Sequence, residues 1–177
     1  MSYPTQPPLP NLYVEHARVI NALAGEALNL KIRHVENTRA KVAVGLSLQA
    51  AELAGKAMLR AFGSTVEEIK QRHAHHNLLE LYDDIEKQIR GNPKLAEFQR
   101  FLLRTPAIDG QPFSSTTRKY LQDHFAQGAY ARPRNYFYPD QEKWTGPVPI
   151  HALYYMVEGI IEVADGLIHA LEDLSAE

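Results

Sequence analysis

The stretch Leu46-Ser-Leu-Gln-Ala-Ala-Glu-Leu-Ala-Gly-Lys-Ala-Met-Leu59 decides how the rest of the chain is read. It lies inside a run from about Arg39 to Phe62 that carries a single helical period. Leu46, Ala50, Leu53 and Ala57 form one apolar row, and Val44, Leu48, Ala51, Met58 and Phe62 form a second beside it. Two adjacent rows make a wide apolar face, as a helix needs when it has neighbours on several sides. The polar remainder is narrow: Lys41, Gly45, Gln49, Glu52, Lys56 and Arg60. Small residues at Ala50, Ala51, Ala54, Gly55 and Ala57 leave room for a close neighbour.

Outward from this run the chain stays helical. Residues 1–10 hold Pro4, Pro7, Pro8 and Pro10 and read as a flexible lead-in. Residues 11–177 read as one domain. A helix from Asn11, its N-cap, to about Arg33 shows Ile20, Leu23, Ala27 and Leu30 as its stripe, with Leu12 and Val19 alongside. The polar segment Arg33–Arg39 connects it to the central run, or the two form one long bent helix. Gly63 suits the C′ position after that run. Ser64–Arg72 is a short helix or an ordered loop. Leu78, Leu81, Tyr82, Ile85 and Ile89 make a clean face, opened by Asn77 with Glu80 as a capping box and closed by Gly91. Asn92-Pro93 starts a short helix with Leu95, Phe98 and Leu102. Thr105–Pro112 is loop, Ser114–Gly128 a further short helix, and Tyr130–Pro149 irregular, aromatic and proline-rich.

The last helix runs from near Pro149 to about Leu174. Ile150, Leu153, Val157, Ile160, Ala164, Leu167, Leu171 and Leu174 alternate three and four apart, widened by Tyr154, Ile161 and Ile168. Such a row suits shallow-angle packing in a bundle, with a dimer seam as the alternative. Gly159 and Gly166 share a side and suggest a close helix crossing. No alternating strand pattern occurs. The expected fold is all-α, an up-and-down bundle of four to five main helices with short extra ones.

Composition narrows the function classes. The chain has 177 residues and a net charge of −2, which removes a global basic field as a route to nucleic acid. Cysteine is absent, which excludes a disulfide scaffold, thiolate metal sites and a thiol nucleophile. No signal peptide and no apolar run of membrane-spanning length stand out, and the expected location is the cytoplasm.

Three short motifs carry a resemblance. Gln49-Ala-Ala-Glu-Leu-Ala-Gly-Lys-Ala-Met-Leu59 is followed by Gly63 and by His76-Asn-Leu-Leu-Glu-Leu81. A later piece reads Tyr130-Ala-Arg-Pro-Arg134 and then Tyr138-Pro139. In this order the motifs resemble the HEPN superfamily, from about residue 12 to 174. Glu52, Lys56 and His76 fall on its glutamate, lysine and helix-opening histidine, with Asn77 in place of the usual aspartate. The resemblance implies a helical bundle, often dimeric. It also implies roles among ribonuclease toxins, phage-defence proteins, partners of nucleotidyltransferase antitoxins and non-catalytic binding domains. Arg132, Arg134 and Tyr138 match the later piece.

Several candidate sites follow, each with a plainer alternative. Ribonucleases of the family resemble one another in an arginine followed four to six residues later by histidine. Arg118-Lys-Tyr-Leu-Gln-Asp-His124 is the hit here, and it would let His124 move a proton while Arg118 stabilises phosphorane charge. The alternative is an ordinary helix surface. Lys119 departs from the polar residue usual after the arginine, and no histidine follows Arg134-Asn135 at the needed distance. His73, His75 and His76 with Asp83 or Glu80 suggest a metal site, although adjacent loop residues rarely converge on one ion. The alternative for His76 is a structural one, reaching Glu52 across the bundle. Glu52 and Lys56 are either an exposed ion pair or a buried link to His76 or to an arginine of the 130–139 segment. Arg132, Arg134, Tyr136, Phe137, Tyr138 and Trp144 suit base stacking, or fold as an aromatic lid over the bundle end. The leading expectation is a homodimeric binding or assembly module of bacterial defence or toxin–antitoxin systems. It has no cofactor and no bound metal. RNA, a nucleotide or a nucleotidyltransferase-type protein is its partner. The alternatives are a metal-independent endoribonuclease using Arg118 and His124, and a histidine metal-binding bundle.

Overall fold

The computed structural model describes residues 9–30, 36–73, 77–98, 107–108, 111–112 and 150–176. Five helices appear among them: α1 (Pro10–Asn29), α2 (Glu36–Ala61), α3 (Val66–Arg72), α4 (Leu78–Arg90) and α5 (Ile150–Ala176). A 3-10 turn spans Pro93–Leu95. One antiparallel pairing, β1 (Ala107–Ile108) with β2 (Gln111–Pro112), lies in the stretch expected as loop and rests on α5. The residues between the two strands in sequence, Asp109-Gly110, are a pair favoured in two-residue hairpins. The fold is an all-α bundle, as expected.

Helix α2 is its hub, touching α1, α3, α4 and α5. Val44, Leu48, Ala50, Ala51, Ala54, Ala57 and Met58 are all fully buried. Segment Thr38–Ala61 is long and apolar enough to cross a membrane, yet 72% of its most apolar window is covered by the protein itself. That is the signature of a helix surrounded by other helices. At Gly55 the α4 neighbour comes so close that a Cβ would sit 2.6 Å from Leu81 Cδ2. The small residues therefore do what their size suggests.

The ends of α2 follow local chemistry. Gly63 takes φ +91°, a left-handed conformation that costs other L-residues free energy. With it, Gly63 N–H donates to Arg60 O and Ser64 N–H to Leu59 O, the paired bonds of a Schellman ending. The next helix is capped at once: Thr65 Oγ1 accepts from Glu68 N–H, and Thr65 N–H donates to the Glu68 carboxylate at 2.7 Å. Thr65-Val-Glu-Glu68 was thus a legible capping box, and 66–72 is helix rather than loop. Asn77 caps α4 through Leu79 N–H, a simple cap without the return bond expected from Glu80. All five residues of the α4 face are buried.

Helix α1 departs from expectation. It starts at Pro10 with Leu9 as N-cap, so Asn11 lies inside the first turn. Leu30 at its end is extended, which makes α1 and α2 two helices rather than one bent one. Arg39 of α2 donates to Leu30 O across that corner. The buried face of α1 is Val14, Ala17, Asn21, Ala24 and Ala27. Leu12, Val19, Leu23 and Leu30, read from sequence as part of the packing stripe, are 41–61% exposed. The physical reason is space: α1 lies against α2 and α5, and alanines allow the closer approach. Arg18 on its flank pairs with Asp165 of α5 at 2.7 Å.

Helix α5 fulfils its pattern. Leu153, Val157, Ile160, Ile161, Ala164, Leu167 and Ile168 are buried within the chain. The face is therefore intramolecular packing and not a dimer seam. The close crossing expected at Gly159 and Gly166 is absent among the described residues: nothing lies within 4 Å of a Cβ at Gly159, and at Gly166 Phe98 is at ordinary contact distance, 3.5 Å.

Candidate functional site

Two of the four buried polar residues among those described, Glu52 and His73, lie where α2, α3 and α4 meet. α2 brings Glu52 and Lys56, one helical turn apart. The turn after α3 brings His73, and α4 brings Glu80, Tyr82 and Asp84 from its first two turns. Lys56 Nζ lies 2.5 Å from Glu52 Oε1, with side chains only 21% and 8% exposed. The pair is sheltered rather than exposed, while the expected link to His76 or to an arginine of the 130–139 segment lies outside the described residues. A carboxylate and an ammonium taken out of water lose hydration that only close pairing and further polar contacts restore.

Two neighbours complete this polar knot. Tyr82 is buried, and its hydroxyl donates to Ala51 O at 2.8 Å. Burial, then the nearby Glu52 charge, hold its phenol well above the usual range, so it stays a neutral donor. His73 is 4% exposed. Its Nε2 stands 3.4 Å from Asp84 Oδ2, within ion-pair range, yet neither ring nitrogen makes a hydrogen bond. Burial is the largest influence on it and lowers its pKa. Asp84 and Glu80 act in the opposite direction, while Lys56 and Arg72 add to the lowering. The imidazole is thus a poor proton acceptor, held neutral near pH 7.

Of the three clustered histidines, His73 is the described one, near enough to Lys56 to feel its charge and paired in space with Asp84. The signal that could have singled it out is its position: it directly follows α3, four residues after buried Ile69. No three histidine or acidic side chains among the described residues stand close enough together to hold a metal ion. His75 and His76 lie outside the described residues, as do Arg118, His124, Arg132, Arg134, Tyr138 and the remaining aromatics of the 130–149 segment. Among the described residues the arrangement offers one low-affinity base, one neutral phenol and a sheltered ion pair. This is chemistry suited to holding three helices in register. Compared with known families, curated proteins and solved structures, the chain matches none.

Proposed function

We propose that this chain is a non-catalytic helical module that works by assembly with other macromolecules, in the manner the HEPN-like motifs imply for bacterial defence and toxin–antitoxin proteins. A nucleotidyltransferase-type protein and a second copy of the chain are the partners that fit this reading. The observation that carries it is the inverted character of α1. Its alanines face the core, while Leu12, Val19, Leu23 and Leu30 face solvent. A soluble helix ordinarily does the reverse, and a row of large exposed aliphatics marks a contact surface. The polar knot around Glu52 supports the same reading, because Lys56 pairs with Glu52 and the Tyr82 hydroxyl is engaged by the backbone of α2. The test is incubation of the purified chain with structured and unstructured RNA in the presence of a chelator. Intact RNA is expected. Cleavage that disappears in His124→Ala would overturn the proposal in favour of an endoribonuclease using Arg118 and His124.

A further inference from the structure

We propose that the outer face of α1 is the contact between two copies of this chain, laid antiparallel about a two-fold axis at the level of Asn21. This deepens the assembly reading above by naming the surface, the partner and the register. The face comprises Leu9, Leu12, His16, Val19, Leu23, Glu26 and Leu30. Their spacing alternates three and four without a miss, the seam of a two-helix coiled contact. Every one of them is exposed, Leu9 at 72% and Val19 at 61%. Among the described residues, α1 packs chiefly on α2 and α5, and this stripe faces neither.

The order of residues along the seam selects the occupant. Leu12 and Leu30 are equally far from position 21, and so are Val19 and Leu23, and so are His16 and Glu26. An antiparallel two-fold brings equidistant residues together. Leu12 then meets Leu30 of the second copy, and Val19 meets its Leu23. His16, the only basic residue of the seam, meets Glu26, the only acidic one. That polar contact occurs twice, once on each side of the axis. Parallel pairing would instead set Glu26 against Glu26 and His16 against His16. An antiparallel slip by one heptad would press Glu26 onto Leu23. A polar layer in an apolar seam fixes register in this way, since the wrong alignment leaves charge against hydrocarbon. From Leu12 to Leu30 the seam is self-complementary in both size and charge, and it fits a second copy better than it fits an unrelated helix.

The absence of cysteine makes the test clean, since any introduced thiol is unique. Leu12→Cys and Leu30→Cys variants of the full chain are co-expressed and oxidised gently. A disulfide-linked dimer is expected from the mixture. Neither variant alone should link, because two copies of position 12 stand about 27 Å apart in this arrangement, 18 residues at ~1.5 Å each. Light scattering should give twice the chain mass for the parent. Leu23→Glu should give a single-chain mass with unchanged helical circular dichroism. His16→Glu should lose the dimer, and His16→Glu with Glu26→Lys should regain it. A single-chain mass for the parent at every concentration overturns the proposal, as does a Leu12→Cys variant that links to itself. So does a dimer that survives Leu23→Glu, which would mean that another surface joins the copies. RNA cleavage would overturn the non-catalytic reading yet leave this seam standing, so the two failures are distinguishable.

Discussion

Lys56 and Glu52 show what a single side chain can decide. Their pairing is sheltered, so removing the ammonium alone leaves a carboxylate of 8% exposure without its neighbouring cation. Lys56→Ala should destabilise the fold by about 3 kcal/mol in denaturant unfolding, the scale for breaking a buried pair from one side. Glu52→Gln with Lys56→Met, which removes both charges, should cost clearly less. Equal losses for the single and double variants would mean that packing, not charge, holds this position. His73 carries a second, pH-linked prediction. Burial lowers its folded pKa below the ordinary 6.5, so between those two values the unfolded chain binds a proton that the folded chain refuses. Stability contributed by neutral His73 is complete above about 6.5 and is lost as pH falls toward the folded pKa. The melting temperature should drop on going from pH 7 to pH 5.5, and His73→Phe should remove the histidine part of that slope. A variant with the parent's slope would assign the effect to other groups.

At the level of elements, glycine positions distinguish tight from loose contacts. Gly55 meets Leu81 and Ile85 of α4 with no space for a side chain. Gly55→Val should destabilise by about 1–3 kcal/mol through overpacking, despite removing a flexible residue from a helix. Gly159 in α5 faces open space among the described residues. Gly159→Ala should therefore stabilise by roughly 0.5–1 kcal/mol, the helix-propensity gain alone. Thermal melts of the two variants should move in opposite directions, and a loss at Gly159 would show a contact there after all. Gly63 differs from both, since its φ of +91° rather than a neighbour excludes a side chain. The α2 ending at Gly63 and the cap at Asn77 were legible because they depend on residues adjacent in sequence. The face of α1 was not legible. Its row through Leu23 and Leu30 and its row through Ala17, Asn21 and Ala24 have the same period, and period alone does not say which of them turns inward.

For the whole molecule, the arrangement of four helices around α2 sets a hierarchy of stability. Amides in the buried part of α2 should exchange with solvent only through global unfolding, because opening them breaks contacts with α1, α3, α4 and α5 together. Those of α3, a seven-residue helix with one buried side chain, should exchange through local opening. Hydrogen-exchange mass spectrometry would test this ordering, and comparable protection in the two helices would contradict a hub at α2. The same hierarchy places the exposed seam on α1, whose alanine face packs on α2 and α5 while its aliphatic face is left to solvent.

The sequence by itself determined the all-α class, the helical period and buried core of 46–59, the α4 and α5 faces, and the stops at Gly63 and Gly91. These follow from local period and capping, which are written into neighbouring residues. Only the tertiary structure decided that Glu52 and Lys56 are enclosed and that His73 is buried against Asp84 of α4. It also decided that α1 turns alanines inward and leucines outward. Each of those outcomes depends on which helix comes near which, and distance between elements is set by the packing of the whole bundle rather than by any stretch read alone.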